Sequence, residues 1–120
     1  MDTVATIVQV LVGLAFAAAG AMHLRLARGA APSPQMAWVS AVPPNGLAII
    51  AVLELLGGAV LAVTAFTGPA WLAGLAAVCF VVLMVSAAIF HLRRTGEAPN
   101  AVFNLILGAV AAIVAYANLA

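Results

Sequence analysis

Four uninterrupted apolar stretches, each close to the length that crosses a bilayer, leave this chain few ways to fold. They run roughly from Val4 to Leu24, Gly46 to Phe66, Ala70 to Phe90 and Ala101 to Leu119, and a helix needs about 20 mostly apolar residues to span the hydrocarbon core. The stretches are apolar all round rather than along one stripe, so as helices they lack the charged outer faces of a water-soluble bundle. Composition agrees: 68% of the 120 residues are hydrophobic and only 6% are charged, too few to clothe a soluble surface. The expectation is a single all-α membrane domain over residues 1–120, a four-helix bundle of up-down topology with lipid around it.

The breaks between the stretches are explicit. Arg25 and Arg28 open a first loop that carries Pro32, Pro34, Pro43 and Pro44; Thr67, Gly68 and Pro69 make a tight second turn; His91 to Asn100 forms a short polar third loop. Only Asp2, and no basic residue, precedes the first apolar run, which therefore reads as a retained helix and not as a signal peptide. All four basic residues are arginines, Arg25, Arg28, Arg93 and Arg94, and all lie in the first and third loops. The positive-inside rule makes that side cytoplasmic and puts both termini outside. Phe66, Trp71 and Tyr116 then fit an outer aromatic belt, with Trp38 near the inner one. A net charge of +1 with no basic stripe argues against a nucleic-acid partner. Cys79, the one cysteine, can form neither an intrachain disulfide nor a cysteine-based zinc site.

The first loop is long for a bundle this small. "RLARGAAPSPQMAWVSAVPPN", from Arg25 to Asn45, takes about twenty residues where roughly two to eight are usual. With Met36, Ala37, Trp38 and Val39 in a row it is too apolar for a solvated linker. A short interfacial or re-entrant segment folded over the mouth of the bundle accounts for both features, and so does a plain membrane-surface anchor.

Within the spans, Glu54 is the costly residue. It lies roughly 12 Å into the second helix at ~1.5 Å per residue, where a carboxylate must face the bundle interior, pair or take up a proton. Gly57 and Gly58, three and four residues on, share its face and admit a neighbouring helix closely. His23, Ser86, His91, Asn100 and Asn104 fall in the same half of the membrane, so each helix contributes a polar group there. Asn104, Gly108, Ala111 and Ala115 form one small-residue face on the fourth helix, expected to pack on the helix of Glu54. Each residue also has a plainer reading. His91 and His23 suit interfacial positions, Glu97 suits a surface ion pair with Arg93 or Arg94, and Asn104 suits a single helix-to-helix hydrogen bond.

Three runs carry a resemblance: "GAMHL" (20–24), "LELLGGAVLA" (53–62) and "LMVSAAIFHLRRTGE" (83–97). Together they resemble the DoxX-like family of small bacterial membrane proteins. The resemblance covers most of the chain and implies a four-helix bundle in the bacterial inner membrane. The family takes its name from a subunit of a thiosulfate:quinone oxidoreductase, and other members are associated with redox or quinone-stress systems. Where His23 stands, many relatives look to have a lysine; histidine keeps a titratable nitrogen, works at a different pH and can ligate a metal.

Two kinds of function fit these residues, with a third behind them. One is an enzyme or redox subunit, oxidoreductase-linked or an isomerase, acting on a lipophilic quinone or epoxide from the bilayer. Glu54, His23, His91 and Asn104 would be its catalytic residues, and Ser86, Trp38 and Asn100 would hold the substrate. A variant gives His23 or His91 to a haem iron, since one axial histidine suffices. The second is a non-catalytic scaffold, a homo-oligomer or a redox-complex subunit, in which Glu54 assists assembly. The third is a proton-coupled exporter, although small multidrug exporters carry their membrane carboxylate in the first helix. Orientation is directly testable. A reporter that works only outside the cytoplasm is expected to be active when fused after Ala120 and silent when fused near Gly96, and the reverse pattern would invert the topology.

Overall fold

The computed structural model describes residues 2–120. It consists of four long helices, α1 (Thr3–Ala27), α2 (Pro44–Thr67), α3 (Ala70–Leu92) and α4 (Ala98–Leu119), with a 3-10 helix at Pro34–Ala41 inside the first loop. All four long helices are apolar enough to cross a membrane. Their boundaries follow local chemistry. The Asp2 carboxylate accepts from the Ala5 amide at 2.8 Å and caps α1, and Pro44 supplies a preset φ at the start of α2. Gly68, at φ 59° and ψ −172°, ends α2 in a conformation open essentially to glycine alone. The third loop is shorter than its polar composition implies, because α3 continues through His91 to Leu92 and α4 starts at Ala98.

The helices run alternately up and down and associate as two tight pairs, α1 with α2 and α3 with α4. The pairs meet mainly through α2 and α3 and more thinly through α1 and α4. Lipid offers no hydrophobic drive for helices to associate, so close packing must hold them. Glycine supplies it in the first pair. A Cβ on Gly13 would lie 2.6 Å from the Gly58 carbonyl oxygen, and one on Gly20 would lie 2.6 Å from that of Ala51. The reciprocal Cβ on Gly58 would lie 2.5 Å from the Gly13 carbonyl and 2.6 Å from the Ala17 amide. Gly57 faces the other way, where its missing side chain leaves room for the Phe80 ring. That ring stacks on Phe16 at 3.7 Å between centroids, tying α1 to α3 across the bundle. Val12, Leu61, Ala73, Ala77, Met84, Ala111 and Val114 complete the buried centre.

Two sequence expectations are corrected: Gly57 does not share the face of Glu54 and Gly58 but turns to Phe80 of α3, and the partner of α4 is different. The small-residue face of α4 packs on α3 and not on the helix of Glu54: Gly108 sits against Met84, whose Cβ would be 3.2 Å from an added Cβ. The short third loop folds α4 back on α3, and α2 already spends its own glycines on α1 and Phe80. Leu11, Leu53, Val82 and Ile106 face outward with many other large apolar side chains, as do Phe66, Trp71 and Tyr116. Gly58→Ala is expected to destabilise the bundle by about 1–3 kcal/mol through overpacking. Gly46→Ala, whose Cβ meets only a Val42 methyl at 3.9 Å, is expected to be tolerated; thermal unfolding of both variants in detergent measures the contrast.

Candidate functional site

Glu54 is 2% exposed on α2 and faces α1. Gly20 on α1 lets the two backbones close on each other, and an added Cβ there would lie 3.0 Å from the Glu54 Cβ. One turn further along α1, His23 Nδ1 lies 2.5 Å from Glu54 Oε1. Either the imidazole N–H donates to the carboxylate or the carboxylic acid donates to a bare ring nitrogen; the two differ by the position of one shared proton. With a second proton on Nε2 the pair is neutral as a whole in both forms. This removes most of the cost of a lone charge at that depth and leaves a proton able to move along a short hydrogen bond.

A second carboxylate–imidazole pair lies at the same end of the bundle. His91, 4% exposed in the last turn of α3, has Nδ1 at 2.7 Å from Glu97 Oε1, and the other carboxylate oxygen accepts from Arg94 Nε at 2.7 Å. Gly96, at φ 82°, turns the loop so that Glu97 reaches back to His91. Burial raises the proton affinity of Glu97, but the hydrogen bonds from His91 and Arg94 and the nearby Arg94 charge outweigh it and hold the carboxyl below its ordinary value. Arg94 also lies over the Phe90 ring at 5.5 Å.

Trp38 bridges the two pairs. Its ring stands edge-to-face on His23 at 5.6 Å, on His91 at 5.3 Å and on Phe90 at 6.2 Å. The long first loop thus places an indole on both imidazoles. Each imidazole spends Nδ1 on a carboxylate, as ligating histidines also do, and the indole packs on both rings. Among the described residues no group of three His, Cys, Asp or Glu side chains is arranged to hold a metal ion.

The remaining candidates scatter. Asn104 is half-buried on α4. Asn100 Nδ2 donates to the Gln35 carbonyl at 3.2 Å and so tethers the 3-10 helix to α4. Ser86 is exposed on the outer face of α3, its hydroxyl donating to the Val82 carbonyl of its own helix at 2.8 Å. The structure therefore brings His23, Glu54, Trp38 and His91 together, with Glu97 and Arg94 added, and leaves Ser86 outside.

The profile of the DoxX-like family matches residues 7–114. The chain belongs to the DoxX-like family. The matched region of this DoxX-like chain contains Glu54, both histidines and Trp38. No curated protein and no solved structure matches it.

A further polar group sits at the opposite end of the bundle, where the sequence reading expected none. Gln9, with no exposed surface, donates from Nε2 to the Leu61 carbonyl at 3.0 Å and to Thr64 Oγ1 at 3.3 Å. Its Oε1 accepts from Asn118 Nδ2 at 2.9 Å. The knot joins α1, α2 and α4 and fully pairs a buried amide. A lone Gln within an apolar run was its only sequence signal.

Because the folded state favours ionised Glu97, its contribution to holding the third loop is present above the ordinary carboxylate value. It is lost as the pH falls through the lowered folded value. Carboxyl carbon NMR is expected to show a Glu97 midpoint below 4.5, with Arg94→Gln moving it upward; an unshifted midpoint would break the loop assignment.

Proposed function

We propose that this chain is a membrane-embedded enzyme or redox subunit that handles a lipophilic small molecule of the quinone or epoxide type. The observation that carries the reading is the Glu54–His23 pair, a carboxyl group and an imidazole 2.5 Å apart, with the carboxyl almost fully buried. Buried ionisable groups in membrane spans are costly, and a function is their default explanation. The pair supplies or removes one proton at an oxygen of the bound molecule, which is the general acid–base step that epoxide opening or quinone reduction requires. In the redox form a partner subunit provides the electrons and this chain the protons. Asn104, half-buried and with no side-chain hydrogen bond among the described residues, is suited to hold the substrate oxygen. The bacterial inner membrane, with the arginine-bearing end in the cytoplasm, is the location that fits the charge pattern.

One observation favours a scaffold as the second reading: the pair lies in the tightest helix seam, beside Gly20, where it also serves packing. A single substitution separates the two. Under the catalytic reading Glu54→Gln keeps shape and folding but lowers turnover of quinone or epoxide test substrates by about 100-fold or more, since an amide cannot exchange the proton. Under the scaffold reading the same variant matches the wild type or melts higher, because a buried charge has been removed. Turnover and thermal melts on the reconstituted protein decide between them, and a folded, fully active Glu54→Gln variant would refute the catalytic role.

A further inference from the structure

The Glu54–His23 pair reaches the surface through His23, whose side chain is 13% exposed, and Trp38 of the 3-10 helix Pro34–Ala41 packs on that imidazole at the arginine-bearing end. No residue of this segment is buried. Pro34 begins it, and Pro32, Pro43 and Pro44 flank it and limit the paths of its two connections. Its Ser40 hydroxyl turns back to the Ala37 carbonyl, so among the described residues one side-chain hydrogen bond ties it to the long helices, Asn100 Nδ2 to the Gln35 carbonyl. The other attachment is Trp38, lodged against His23, Phe90 and His91. Met36 and Val39 are half-buried beside Trp38, and no residue of the segment joins the core.

The chemistry of the residue lodged there matters. Imidazole and carboxyl groups both donate and accept, so each can pass a proton on; an indole has one N–H donor and no acceptor. Trp38 therefore interrupts a series of groups that would otherwise conduct. Glu54 of α2 and His23 of α1 lie on one side, and His91 of α3 with Glu97 and Arg94 of the third loop lies on the other. The exposed Arg25, Arg28 and Arg93 are at the same end. With the indole withdrawn, the space it leaves on both imidazoles is open to water, which both donates and accepts.

We propose that Pro34–Ala41 is a lid, latched by Asn100 and plugged by Trp38, that controls proton exchange between the Glu54–His23 pair and the water at the arginine-bearing end, with His91 as the relay. This rests on the acid–base reading of Glu54 and His23 and deepens it by naming what regulates their proton supply. It also gives Asn100 a positioning role in place of substrate contact.

The test uses the full chain with nitrogen-15-labelled histidine in lipid nanodiscs, without substrate, and measures the exchange rate with water of the proton shared by His23 Nδ1 and Glu54. Asn100→Ala is expected to speed exchange about fivefold, the effect of losing one hydrogen bond. Trp38→Ala is expected to speed it by at least about tenfold, as several aromatic contacts are lost, and Trp38→Phe, which restores a ring, to bring it back toward the wild-type rate. Asn100→Ala touches only the surface latch, so it keeps the test valid if Trp38→Ala fails to fold. Wild-type exchange in folded Asn100→Ala and Trp38→Ala overturns the lid. Lid-dependent exchange in a protein whose Glu54→Gln variant keeps full activity retires the enzyme reading and leaves the lid standing.

Discussion

In a bilayer, helices gain nothing by hiding apolar surface from water, so α1 and α2 are held by how closely their backbones approach at Gly13, Gly20 and Gly58. That approach sets everything around Glu54. The short distance between His23 and Glu54 exists because Gly20, one turn away, has no side chain to keep the helices apart. The same economy appears at Gly57, where absent volume on α2 becomes the place occupied by Phe80, whose stack on Phe16 joins the two helix pairs. Dispersion between packed atoms is small per contact and large in sum, and here it accumulates where a methyl group would already be too much.

The polar groups then divide by what they can do. Gln9, Thr64 and Asn118 form hydrogen bonds that need no charge and close one end of the bundle. At the other end the paired groups are ionisable, and they come in two carboxylate–imidazole couples with an indole touching both. A lysine at position 23 would offer Glu54 only donors, whereas histidine makes a hydrogen-bonded couple in which either partner can carry the shared proton. Burial keeps the couple intact, because separating its members would leave a charge without a partner in a poorly solvating medium.

Much of this was legible in the sequence, for physical reasons particular to each part. The four spans were readable because the cost of placing polar backbone and side chains in lipid leaves so few alternatives. Glu54 announced itself by the same cost, and Gly58, four residues on, told which way it pointed, whereas Gly57 turned out to face α3. The knot around Gln9 was not legible, since an amide in an apolar run is cheap enough to pass as tolerated and Asn118 lies in the last turn of α4, 109 residues away in sequence. The partner of α4 was misread because a stripe of small residues shows that a helix packs closely without showing on what. Ser86 was drawn into the cluster by depth alone; its hydroxyl satisfies itself on the preceding turn and carries no sign of which way its helix faces. The length of the first loop indicated a folded segment, but only contacts distant in sequence, from Trp38 to His91 and from Asn100 to Gln35, define where it lies.

The division into two helix pairs also bears on how the molecule is made. A chain leaves the ribosome from its N-terminus, so α1 is complete, with His23 in place, before Glu54 emerges. The acidic helix therefore meets its partner as the first hairpin forms and need not wait in lipid for the rest of the bundle. The second hairpin has no such urgency: α3 and α4 carry no acidic or basic side chain deep in their spans, and they dock onto a first pair whose most expensive residue already has its partner. Insertion order and electrostatic cost run in the same direction along this chain, with the hardest step placed early and its remedy synthesised one helix ahead.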